Sequence, residues 1–119
     1  MANTVKKLLI HVGQKERWEV GVTNAMNFLK AGKPGEELKV VIIANADSVL
    51  RVKECGCERE LFDRMKQLVL DGGKIYLCEN SLNAFGIPKE SLADYLDTVP
   101  AAIMALYEFQ QDGWVYVRP

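Results

Sequence analysis

The chain has 119 residues, 49% of them hydrophobic and 26% charged, and 15 Lys and Arg against 16 Asp and Glu leave a net charge of −1. This balance suits one globular core and lacks the basic footprint of a nucleic-acid binder. No apolar run reaches the roughly 20 residues that span a bilayer. The start, Met1-Ala2-Asn3-Thr4-Val5-Lys6-Lys7, has no signal-peptide core, so a cytoplasmic protein with no membrane or nucleic-acid partner is expected.

Residues 5–12 read as a strand, with Leu8, Leu9, Ile10 and Val12 in the near-continuous apolar order of a strand buried on both faces. Gly13-Gln14-Lys15 turns the chain. Residues 16–31 follow a helical period, with Trp18, Val22, Ala25, Met26 and Leu29 on one face. Gly32-Lys33-Pro34-Gly35 ends that helix. Residues 38–44 are the clearest strand and run into Asn45; residues 47–52 suggest a short helix, and residues 53–57 are irregular around Gly56.

The next helix spans residues 58–70 and turns Leu61, Phe62, Met65, Leu68 and Val69 inward, until Asp71-Gly72-Gly73 breaks it. Residues 74–77 form the third strand. A helical turn over residues 80–85 stops at Gly86, and Pro88 opens a helix expected to reach about Leu96. Residues 98–99 suit a very short fourth strand. Residues 101–111 carry a helical period through Ile103, Leu106, Tyr107 and Gln110, and residues 114–117 are the last strand. With Tyr107 and Phe109, that aromatic strand either packs in the core or leaves apolar surface for a subunit interface.

Strands alternating with helices predict an α/β fold: one three-layer α/β/α domain over residues 1–119, built on a mainly parallel five-stranded sheet and flavodoxin-like in outline. Right-handed crossovers bring the carboxyl ends of parallel strands to one rim, where ligands collect. That rim gathers His11 to Gly13, Asn45-Ala46, Cys78 to Asn80 and Val99-Pro100.

Cys78 is the candidate catalytic residue. It sits where a strand gives way to a polar helical turn, and a helix N-terminus favours the reactive thiolate. Such a sulfur can hold a second sulfur as a persulfide. The adjacent Glu79 opposes this, because a carboxylate makes a second anion less favourable. Buried within the strand, Cys78 would instead be a small hydrophobe. Asn45 and Asn80 are candidate binding residues, whose amides would line a pocket beside Cys78 or merely shape turns. His11, the sole histidine, is a third candidate, as a rim residue or a base if it stands close to the thiol, or as a satisfied core residue.

Cys55-Gly56-Cys57 could relay sulfur, form a redox pair or be an inert loop. Its spacing is poor for zinc, and no metal site is expected. The chain lacks a P-loop, a dinucleotide fingerprint, a flavodoxin phosphate loop and an H-E-x-x-H motif, so no cofactor is expected.

Ile10-His11-Val12 through Glu16-Arg17-Trp18-Glu19, residues 39–45, and residues 72–82 with their Cys-Glu-Asn-Ser-Leu core resemble the DsrE/DsrF-like family, as does Gly113-Trp114-Val115-Tyr116-Val117-Arg118-Pro119. The resemblance covers nearly the whole chain. It departs from the family at Ser81, where Thr is usual, and in the Cys55/Cys57 loop. The resemblance implies intracellular sulfur oxidation or sulfur relay, with Cys78 as the strand-end cysteine that carries persulfide sulfur between a sulfur donor and an acceptor protein. It also implies a homo-oligomer, a trimer or hexamer. The leading expectation is therefore a sulfurtransferase-like sulfur carrier, which leaves open whether the protein is an enzyme. The alternative is a non-catalytic oligomeric binding or regulatory module of the same fold.

Overall fold

Five strands, β1 (Thr4–Val12), β2 (Glu36–Ala44), β3 (Lys74–Cys78), β4 (Asp97–Val99) and β5 (Val115–Val117), form one sheet in the order β4-β3-β2-β1-β5. Every neighbouring pair is parallel. The computed structural model describes residues 4–52 and 58–119. The Cys55/Cys57 feature lies outside the described residues.

Among the described residues, four α-helices cover the sheet: α1 (Trp18–Lys30), α2 (Arg59–Leu70), α3 (Glu79–Ala84) and α4 (Ala102–Gln111). Steps β1 to β2, β2 to β3 and β3 to β4 all move the same way across the sheet, whereas β4 to β5 returns past three strands. Right-handed crossovers then require the first three connections on one face and α4 alone on the other. The two cores follow this division. Ile10, Val12, Ile42, Ala44, Ile75 and Leu77 pack with residues of α1 and α2 and with Leu82, Ile87 and Leu96. The intervening residues, Leu9, Val41, Ile43, Tyr76 and Cys78, pack under Ala102, Ala105, Leu106 and Phe109 of α4. This is the period-two alternation of strands buried on both faces.

Fully buried Trp18 anchors the larger core, and its indole N–H donates to the Ser48 carbonyl at 2.8 Å. Ser48 lies in the 3-10 segment Ala46–Val52, where a helix was expected from sequence. The N–H of that buried indole is thereby satisfied.

Two expectations need correction. The helix expected from Pro88 to about Leu96 reduces to a single 3-10 turn, Lys89–Ser91. The Ser91 hydroxyl donates back to the Pro88 carbonyl at 2.7 Å, and Leu92 is extended at ψ 153°. Leu92, Tyr95 and Leu96 reach the core from this irregular path, so their spacing imitated a helix. In α4 the inward residues are Ala102, Ala105, Leu106 and Phe109, while Ile103 is 77% and Tyr107 61% exposed. Two small alanines share this inward face with Leu106 and Phe109, while the β-branched and aromatic residues Ile103 and Tyr107 point outward.

Candidate functional site

Cys78 is the last residue of β3 and the N-cap position of α3. It pairs in register with Val99 of β4. From these adjacent strands the chain departs in opposite directions: α3 begins the connection over the α1/α2 face, and α4 covers the other. Cys78 thus lies at the carboxyl rim of the sheet, between connections that leave on opposite faces, while the strand order itself reverses between β1 and β5. Alternation turns the Cys78 side chain toward α4, in the core that holds Ala102.

The thiol therefore meets the start of two helices. Ala102, the first residue of α4, donates its N–H to Cys78 Sγ at 3.3 Å. The Asn80 and Ser81 N–H groups and the Ser81 hydroxyl, at the start of α3, also favour the charged form of the sulfur. Burial pushes the thiol up, but the Ala102 N–H, the Ser81 hydroxyl and the Ser81 and Asn80 N–H groups together bring it below its ordinary value. Hydrogen bonds that favour the charged form outweigh desolvation here. Cys78 is only 5% exposed. It is a thiol held below its ordinary value in a nearly closed site.

Ser81 is oriented from the neighbouring strand. Its Oγ accepts the Ala46 N–H at 2.8 Å, which leaves its own proton for the sulfur. Ala46 stands at φ 55°, in the left-handed region that an L residue enters at a cost of about 1 kcal/mol. The strained amide at the end of β2 thus aims at the hydroxyl that serves Cys78.

Glu79 does not play the opposing part expected of it. Its carboxylate accepts the Thr98 hydroxyl at 2.6 Å. Thr98 pairs with Leu77, whose side chain belongs to the opposite core, so this charge lies across the sheet from the thiol.

His11 and Asn45 meet each other rather than the thiol. His11 Nε2 donates to Asn45 Oδ1 at 2.9 Å, and the Tyr116 hydroxyl donates to Nδ1 at 2.6 Å. Both ring nitrogens are thereby engaged, and His11 forms no dyad with Cys78. Burial, opposed by the Asn45 hydrogen bond and helped by the Arg118 charge, holds the imidazole below its ordinary value, neutral at pH 7. Asn80 contributes its backbone N–H to the thiol while the residue itself is exposed.

Sequence reasoning missed Ser81 and Ala102 as parts of the site. Ser81, three residues beyond the cysteine at a helix start, had a legible signal. Ala102 had none, because it acts only through its backbone. A cleft of about 680 Å³ between α1 and α2, lined by Thr23, Lys30, Arg59, Asp63 and Arg64, lies on the opposite face from Cys78. Among the described residues, no three His, Cys, Asp or Glu side chains gather as a metal-binding group. No helix among them is long and apolar enough to cross a membrane.

The model of the DsrE/DsrF-like family matches residues 6–119. The chain belongs to the DsrE/DsrF-like family. Membership supports a role in sulfur relay at the level of the family. No curated protein matches the sequence. Among solved structures, the chain is similar to a protein of unknown function, MTH1491 from Methanobacterium thermoautotrophicum, with a TM-score of 0.82 and 19% identity over 96% of this chain and 99% of that one. The three-layer DsrE-like fold is thus shared at low sequence identity.

Proposed function

We propose that the protein carries sulfane sulfur as a persulfide on Cys78. The observation that supports this reading is the Ala102 N–H donated to Cys78 Sγ at 3.3 Å at the carboxyl rim, where the Ser81 hydroxyl and the Ser81 and Asn80 N–H groups also favour the charged sulfur. The Cys78 thiolate attacks the outer sulfur of a donor persulfide, R–S–SH. A bond forms between Sγ and that sulfur, the donor S–S bond breaks, and the RS⁻ leaving group takes a proton. The net exchange is Cys78–SH plus R–S–SH giving Cys78–S–SH plus R–SH, with no external oxidant. The donors that stabilise the thiolate also suit the persulfide anion that replaces it. A thiol of an acceptor protein then repeats the displacement.

Intact-mass measurement after incubation with a sulfane-sulfur donor tests the reading. One added sulfur is expected on the parent and on a Cys55→Ser/Cys57→Ser variant, and none on Cys78→Ser. Loading of Cys78→Ser equal to the parent would overturn the assignment.

The near closure of Cys78 favours a second reading, a binding or regulatory module whose thiol no longer reacts. A thiol that resists small alkylating agents in the folded protein, and takes no sulfur, would establish it. Both readings include assembly with further copies of this chain. Ile103, Met104 and Tyr107 of α4 are exposed, an apolar surface suited to a second copy.

A further inference from the structure

Arg118 takes part in no ion pair among the described residues. Its guanidinium lies against Gly13. A Cβ on Gly13 would fall 2.9 Å from a terminal nitrogen of Arg118 and 3.5 Å from His11 Nε2. The missing side chain is what admits the cation to the end of β1, beside an imidazole held by Tyr116 and Asn45.

The register relates this cation to the thiol. Val12, Ala44 and Leu77 stand level on β1, β2 and β3. Gly13, Asn45 and Cys78 each follow by one residue, on the side of the sheet that α4 covers. Two strand spacings separate the ends of β1 and β3, so the backbone at Gly13, where the guanidinium lies, and that at Cys78 are about 10 Å apart. Asn45 lies between them.

We propose that Arg118, with His11 and Asn45 beside it, binds a carboxylate of a low-molecular-weight organic persulfide whose outer sulfur reaches Cys78. This rests on the reading of Cys78 as a sulfur carrier and names its donor class. A guanidinium matches a carboxylate in a two-pronged hydrogen bond, and an Arg with no acid partner among the described residues has that capacity available. The separation selects among donors. In thiosulfate the anionic oxygens sit on the atom next to the transferred sulfur, so one molecule cannot touch both ends. A peptide-sized thiol persulfide with a carboxylate several bonds away spans the gap. The transfer step is the displacement already written, and the carboxylate stays bound throughout.

The test uses the full chain and two readouts. His11 is the only histidine, so its ring C2–H proton gives a single resonance in a nuclear magnetic resonance spectrum. Titration with unreactive S-methylglutathione should shift that resonance saturably. Arg118→Gln should weaken this binding about tenfold or more, with Arg118→Lys in between. No shift at millimolar ligand, or an equal affinity in Arg118→Gln, overturns the proposal. In the second readout, glutathione persulfide should load Cys78 at lower concentration than the persulfide of uncharged 2-mercaptoethanol, and Arg118→Gln should erase that preference. Equal loading by both donors in the parent overturns the site while leaving the carrier reading intact. Loading by neither donor removes the carrier reading, and the titration still decides whether Arg118 binds carboxylate.

Discussion

The Ser81 hydroxyl, which favours the charged form of the Cys78 sulfur, has its oxygen held by the amide of Ala46, 2.8 Å away. A serine free to rotate would spend much of its time bonded to water. Here the end of β2 fixes the orientation of a group on α3, and the thiol of β3 benefits.

The first expected outcome concerns that arrangement. The rate of Cys78 alkylation should rise with a midpoint below that of the unfolded chain, because the donors hold the folded thiol below its ordinary value. Ser81→Ala should move the midpoint upward and slow alkylation at neutral pH several-fold. The sign for stability follows by linkage: a depressed thiol adds stability as pH rises from its folded value to its unfolded one, and loses it on acidification. Cys78→Ser should flatten that part of the stability profile in urea titrations, measured on the Cys55→Ser/Cys57→Ser background.

A second outcome concerns His11. Its folded value lies below the ordinary 6.5, so the folded protein binds fewer protons than the unfolded chain just below that pH. The stability from the neutral ring is complete above 6.5 and is lost as pH falls through the folded value. The C2–H resonance should titrate below 6.5, and Arg118→Gln should raise its midpoint by removing the nearby positive charge.

Trp18 offers a stability test away from the site. Trp18→Phe removes part of a fully buried side chain and leaves the Ser48 carbonyl without its 2.8 Å donor. A loss of about 3 kcal/mol is expected from the cavity and the unpaired acceptor together. Urea unfolding followed by circular dichroism measures it.

Assembly is tested on α4. Sedimentation of the parent should give a species heavier than the 13.4 kDa chain. Ile103→Glu combined with Tyr107→Glu should shift it toward the monomer, because both residues face outward and a buried unpaired carboxylate is costly. A parent that sediments as a monomer at micromolar concentration would remove the oligomer from either reading.

The alternating strands and helices were legible in the sequence because runs such as residues 38–44 and helices such as residues 58–70 state their period plainly. The address of Cys78 was legible for the same reason. The path after Pro88 was not: Leu92, Tyr95 and Leu96 occupy helix-like spacing while Ser91 bonds the chain into a single turn. Nor could spacing show that Ala102 donates its N–H to a residue 24 positions earlier. Glu79 misled for a related reason, since sequence adjacency to Cys78 hid its placement across the sheet beside Thr98.

The return of the chain from β4 to β5 has a consequence for how the molecule folds. His11 and Tyr116 lie 105 positions apart and meet only through this last crossover. Contacts of such long separation form late, after the loop entropy of nearly the whole chain has been overcome. The thiol, the start of α3 and the Ala46–Ser81 hydrogen bond belong to contacts that can form earlier, from β2 and β3. The Arg118 end of the rim is therefore expected to be the last part to assemble, and a chain halted before residue 115 would have the cysteine but not its cationic neighbour.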